Sequence, residues 1–210
     1  MSTQVSLLDY GVGNLFNLRR AFEHLGCECT LITDIDAIRS AARLVIPGVG
    51  AFGEGIANIE KLGVVSAVRE YARSGKPLMG ICLGMQLLFD ESEELGRWKG
   101  LEIIPGSVTR FAQGSWKLPH IAWNSLEHAA HDSWSGTVLD GVPEGALMYF
   151  NHSYFVTPVD SRVGLASTQY AGIRFVSVAR KDNVSACQFH PERSGEWGLK
   201  LLSNFARLGA

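Results

Sequence analysis

The chain has 210 residues, enough on length alone for one α/β domain, and its 19 Lys and Arg against 21 Asp and Glu leave a net charge of −2. With 46% hydrophobic and 19% charged residues it is neither a disordered tail nor a coiled coil, and its near neutrality removes any global electrostatic reason to bind nucleic acid or an anionic membrane. No apolar run is long enough for a spanning helix and MSTQVSLLDYG lacks a basic n-region, so no membrane segment or signal peptide is expected, and four cysteines are too few for a disulfide framework, which points to a reducing cytoplasm.

In chain order, Val5 to Asp9 is expected to be a buried strand. Leu15, Leu18, Phe22 and Leu25 then recur at helical spacing, with Asn14 placed to cap the start and Gly26 to stop the end. Cys29 to Thr33 and Arg43 to Ile46 form further strands, the latter closed by Pro47-Gly48-Val49-Gly50. Val65, Val68 and Tyr71 mark a helix ended by Gly75, and Leu78 to Ile81 a strand that runs into Cys82 and a helix through Phe89. Repeated strand–helix units with short connections predict a parallel sheet covered on both faces.

The second half changes character. Residues 107–111, 118–123, 146–156, 163–170, 175–181 and 184–189 all have strand patterns, with Asp182-Asn183 as a hairpin turn between the last two. A helix from Gly195 to Arg207 closes the chain, and the AAHDSWSG stretch after His128 is expected to be a solvated loop. Residues 1–210 are therefore expected to form a single domain: a parallel-core α/β open sheet first, with added antiparallel strands later.

The sharpest local feature is Gly80-Ile81-Cys82-Leu83-Gly84, a cysteine between two glycines at a strand-to-helix junction, the thiol form of a nucleophile elbow. A helix that begins at the sulfur favours thiolate over thiol. Such a nucleophile needs a base, and the base an orienting partner. Phe189-His190-Pro191-Glu192 offers both, because residues i and i+2 of an extended run share a face. An acyl-transfer site also needs donors for an oxyanion. The Leu83 N–H is one, and a peptide of the Pro47–Gly53 loop around Val49 is expected to be the other, at the same carboxyl-end crevice of the sheet.

The strings PGVGAFG, GICLGMQLLF, PHIAWN, HSYF and QFHPERSG together resemble the class I glutamine amidotransferases over nearly the whole chain. PGVGAFG and PHxxWN draw the resemblance toward the glutaminase subunits of imidazole glycerol phosphate synthases. The resemblance implies a flavodoxin-like fold and a triad of Cys82, His190 and Glu192 that hydrolyses L-glutamine through a glutamyl thioester. It implies an oxyanion hole at Val49 and Leu83, with Gln86 holding the amino-acid end of the substrate and Gly50, Glu94, His152, Ser153 and Tyr154 as further glutamine contacts. It implies no cofactor and no metal. It also implies a separate (β/α)8-barrel cyclase partner, in a heterodimer that makes imidazole glycerol phosphate and AICAR in histidine biosynthesis, with Pro119, His120, Trp123 and Asn124 facing that partner. Ala122 and Asn151 depart from the family pattern, where Gly and Val are usual. Three alternatives stay open: a paralogue feeding a different barrel synthase, a free-standing thiol amidohydrolase, and a non-enzymatic subunit that has kept the fold.

Gly11-Val12-Gly13 follows the first strand as a dinucleotide fingerprint would, but Phe16 occupies the third glycine position and excludes it. Cys27 and Cys29, on one strand face, and Cys187 are expected to be buried free thiols.

Overall fold

The computed structural model describes residues 3–129 and 133–209. Its first half alternates β1 (Gln4–Leu8), α1 (Leu15–His24), β2 (Glu28–Ile32), α2 (Ile35–Ser40), β3 (Leu44–Ile46), α3 (Phe52–Lys61), α4 (Val65–Arg73), β4 (Leu78–Ile81) and α5 (Leu83–Leu87). Short strands β5 (Phe89–Ser92), β6 (Trp98–Lys99), β7 (Ile104–Arg110), β8 (His120–Ser125) and β9 (Glu127–His128) follow. Next come β10 (Leu147–His152), β11 (Tyr154–Pro158), β12 (Gly164–Tyr170), β13 (Ile173–Lys181), β14 (Val184–Cys187) and α6 (Gly195–Arg207).

Eight strands form the central sheet in the order β2-β1-β3-β4-β14-β13-β12-β9. The pairings from β2 to β14 are parallel and those beyond β14 antiparallel, which is the expected parallel core with antiparallel additions. Successive strand residues point to opposite faces, so Val5, Leu7, Val45, Met79 and Ile81 pack with α1 and α6, whereas Leu8, Leu44, Ile46 and Leu78 pack with α2, α3 and α4. Two smaller sheets, β10-β8 and β11-β7-β5-β6, lie outside the central one.

The first helix is bounded as expected: Asn14 Oδ1 accepts from the Asn17 N–H at 3.3 Å, and Gly26 takes φ +79° just past the end. Other expectations need correction. The helix after Cys82 ends at Leu87 instead of running through Phe89, because the carbonyls of Leu87 and Leu88 accept N–H bonds from Leu101, Ile103 and Ile104 and so pull the chain into β5. The stretch 146–156 is two strands in different sheets, broken at Ser153: β10 pairs with β8 and β11 with β7. Helix α3 was hidden by its glycines, yet those are where helix meets neighbour. A Cβ at Gly53 would stand 2.5 Å from the Trp98 ring. The expected solvated loop holds a core residue instead, Trp134, which is 5% exposed and donates from Nε1 to the Leu165 carbonyl at 3.0 Å. Its His131 lies outside the described residues. Cys27 and Cys187 are buried; Cys29 is only half-buried, and Cys27 precedes β2.

Candidate active site

The elbow is a steric construction. Cys82 sits at φ +54° as the residue before α5, a conformation L residues adopt at a cost on the order of 1–3 kcal/mol. The turn closes only because its flanking residues lack side chains. A Cβ at Gly84 would lie 1.8 Å from the Ile46 carbonyl oxygen, and one at Gly80 2.7 Å from that of Gly84. The result is a sulfur at the carboxyl end of the central strand β4, at the start of a helix.

Strand pairing then closes the sequence gap to the imidazole. β14 lies parallel to β4 with Cys187 opposite Ile81, and the Cys82 N–H donates to the Cys187 carbonyl at 2.8 Å. Three residues on, the His190 N–H donates to the Tyr149 carbonyl at 2.9 Å, and the Ser194 hydroxyl donates to the His190 carbonyl at 2.6 Å. Pro191–Arg193 forms a single 3₁₀ turn that brings Glu192 back beneath the ring. His190 Nδ1 stands 3.0 Å from Glu192 Oε1, with the two side chains 5% and 3% exposed. Burial alone would push the imidazole pKa down. The hydrogen bonds and charges of Cys82 and Glu192 outweigh it and raise the pKa to about 10, which favours the charged form of the ring in this site. Glu192 Oε2 is buried and has no hydrogen-bond partner among the described residues.

Sequence reasoning missed Gln188. It is fully buried, its Nε2 reaches 3.8 Å from Cys82 Sγ, and its Oε1 accepts from Gln86 Nε2 at 3.1 Å. No local signal marks it: β14 ends at Cys187 and the chain bends at residues 188–189 before His190, so strand alternation does not relate the two side chains. Gln86 spends its second amide hydrogen on the Tyr154 carbonyl at 3.0 Å. On the outer side, the Asn151 carbonyl lies 3.9 Å from Sγ.

The Pro47–Gly50 loop lies over the start of α5, as expected. At Gly48 a Cβ would stand 2.8 Å from Leu83 Cβ and 3.1 Å from the Gly84 nitrogen. The buried Tyr10 hydroxyl donates to the Pro47 carbonyl and pins the loop from behind. Burial first, and then the nearby Cys82, push the Tyr10 pKa far above its usual range, so it remains a donor. Val49 is exposed and Gly50 adopts φ +124°. Glu94 stands at the other end of this loop, accepting from the Phe52 N–H at 2.6 Å and so capping α3.

A glycine-flanked cysteine, a buried His–Glu pair and a loop over the helix start form a cysteine acyl-transfer constellation, and the family model described as glutamine amidotransferase class I matches residues 6–208. The chain belongs to the class I glutamine amidotransferase family. This amidotransferase is 42% identical over 204 residues to the imidazole glycerol phosphate synthase subunit HisH of Herpetosiphon aurantiacus, covering 97% of this chain and 94% of that one. It is 41% identical over 202 residues to the HisH subunit of Chlorobaculum tepidum, covering 96% and 98%. In fold it is similar to the structure of PurLQS from Thermotoga maritima, with a TM-score of 0.75 at 18% identity over 98% of each chain.

The remaining expected site residues of the amidotransferase divide. His152, Ser153 and Tyr154 lie at the β10–β11 junction: His152 Nδ1 is 2.8 Å from the Tyr154 carbonyl, and the Ser153 carbonyl accepts from the Phe111 N–H at 3.1 Å. In the segment expected to face a partner, Pro119 is exposed, Trp123 is 52% exposed and Asn124 is half-buried. His120 is a correction: it is fully buried, stacked between Phe150 and Tyr170 with ring centroids 5.0 and 3.8 Å away. The alternation of β8 is the reason, since His120 and Asn124 point inward while Ile121 and Trp123 point out. Exposed Ile121 and Leu147 extend the Trp123 face and were not singled out from the sequence. A cavity of about 510 Å³ between Arg69, Arg73 and Lys181 opens at the amino ends of β4 and β14, away from Cys82.

Proposed function

We propose that the chain is the glutaminase subunit of an imidazole glycerol phosphate synthase, acting as one domain on L-glutamine in the cytoplasm, where its four free thiols stay reduced. The observation that carries this reading is the buried His190–Glu192 pair, 3.0 Å apart, brought to the glycine-flanked Cys82 by the pairing of β14 with β4. In the resting pair the sulfur is the nucleophile and the imidazolium already holds the proton the leaving group needs. Cys82 attacks the side-chain amide carbon, whose oxygen becomes an oxyanion that takes hydrogen bonds from the Leu83 N–H and the Val49 peptide. His190 protonates the departing nitrogen, ammonia leaves and a glutamyl thioester remains. Water, deprotonated by His190, then splits the thioester and releases glutamate.

Gln86 has both amide hydrogens committed within the protein, which leaves its Oε1 to accept from the substrate's ammonium group. The Asn151 and Tyr149 carbonyls, which touch Sγ and the His190 N–H, belong to β10, which pairs with β8 in the two-stranded sheet that presents Trp123, Ile121 and Leu147 to solvent. Ammonia released there emerges beside the surface we assign to a (β/α)8-barrel cyclase. That route matters because ammonia in neutral water becomes ammonium, which has no lone pair with which to attack.

Cys82→Ala, assayed with the barrel subunit, is expected to abolish glutamine-dependent synthesis and leave synthesis from ammonium salts intact. Retained glutamine-dependent turnover would refute the reading.

A further inference from the structure

From β8 to the sulfur runs one chain of hydrogen bonds whose donors and acceptors are set from both ends. Asn124 Oδ1 accepts from the Ser125 N–H at 2.8 Å and its Nδ2 donates to the Gln169 carbonyl at 3.0 Å, which fixes the orientation of the amide. The second Nδ2 hydrogen faces His120 Nε2 at 3.3 Å, so that nitrogen must be an acceptor. At the far end, His152 Nδ1 faces the Tyr154 carbonyl at 2.8 Å and must be a donor, which leaves His152 Nε2 bare. Between them, His120 Nδ1 stands 3.1 Å from His152 Nε2. Both deductions meet there in agreement: His120 donates and His152 accepts. The same Tyr154 carbonyl accepts from Gln86, which leads through Gln188 to Cys82 Sγ.

We propose that His120, its tautomer set by Asn124, is a positioning residue that links the partner-facing strand β8 through His152 and the Tyr154 carbonyl to Gln86. A flipped or doubly protonated ring at either histidine would set one N–H against another, so the chain transmits only when both rings are neutral and protonated on Nδ1. Burial favours that state, pushing His120 down to about 4 and His152 down to about 3, the latter also opposed by the charges of His120 and His190. The strand that carries Trp123 outward on one face thus carries His120 and Asn124 inward on the other. A shift of β8 reaches Gln86 through hydrogen bonds alone, without moving the sulfur.

Two measurements test this, the second resting on the glutaminase reading. In ¹⁵N–¹H spectra of the histidine-labelled chain at pH 7, both His120 and His152 are expected as neutral Nδ1–H rings. Asn124→Asp, which replaces the facing donor by an acceptor, is expected to move His120 to an Nε2-protonated form. An imidazolium or an Nε2–H tautomer at either ring of the unaltered chain would overturn the proposal. In the complex with the barrel subunit, His120→Phe keeps the ring stack but removes the relay. The KM for glutamine is expected to rise about five- to tenfold, the effect of one neutral hydrogen bond, with kcat changed less than about twofold. If the unaltered complex turns over glutamine and His120→Phe leaves KM unchanged, the positioning role alone falls. If the unaltered complex does not hydrolyse glutamine, the functional reading falls and the spectra still decide the tautomers.

Discussion

Replacing Glu192 by Gln removes one charge at constant shape from a site where that charge is shielded by almost nothing. The carboxylate lies 3.0 Å from His190 Nδ1 with only 3% of its side chain exposed. Two unit charges about 4 Å apart interact by about 4 kcal/mol at an effective dielectric of about 20. At about 1.4 kcal/mol per pH unit that is nearly three units of support for the imidazolium. Burial of His190 acts in the opposite direction, so without Glu192 the ring loses its proton near neutrality. The Gln amide can also present its NH₂ to Nδ1, which forces the wrong tautomer on the ring. The expected result is a fall in kcat for glutamine hydrolysis of roughly a thousandfold or more. Glutamate release in the complex measures it, with circular dichroism confirming that the variant is folded. Iodoacetamide labelling of Cys82 against pH gives a second readout: the variant is expected to react more slowly at pH 6–7 and to recover as pH rises. A Glu192→Gln enzyme with kcat within about fivefold of the unaltered one would refute the claim that the carboxylate holds the proton on His190.

Three further outcomes follow from the geometry. Thermal stability is expected to peak near pH 6.5: His120 and His152, with folded pKa values near 4 and 3, lose stability as pH falls below the unfolded value, whereas His190, raised to about 10, loses its contribution as pH climbs from 6.5 toward 10. A flat melting temperature from pH 4.5 to 9 would contradict both signs. Gly84→Ala drives a Cβ into the Ile46 carbonyl, backbone against backbone, and is expected to cost about 3 kcal/mol or more and lower Tm by roughly 6–12 °C by calorimetry. Gln188→Leu keeps the volume but withdraws the donor from Sγ and strands a Gln86 hydrogen; labelling of Cys82 by iodoacetamide is expected to slow about three- to tenfold, and an unchanged rate would remove Gln188 from the site.

Much of this architecture was legible because it is encoded within a few residues. Asn14 and Gly26 bound α1, and Gly80 and Gly84 make room for the Cys82 turn; each is a requirement of local sterics. His190 and Glu192 were legible as a pair two residues apart, although a 3₁₀ turn at Pro191–Arg193 makes their contact where an extended run was expected. What the linear chain could not decide is which distant strands lie side by side and what covers a given residue. The pairing of β14 with β4 brings His190 to Cys82, the departure of β10 from β11 at Ser153 splits one apolar run between two sheets, and the stacking of Phe150 and Tyr170 buries a histidine that its motif would have placed outside. Gln188 belongs to the same class: nothing near it in the chain says that a sulfur waits at its amide. Steric and periodic rules act between residues i and i+4, whereas burial, proton affinity and hydrogen-bond partnership are set by whatever the rest of the chain brings to the spot, and only the folded molecule determines that.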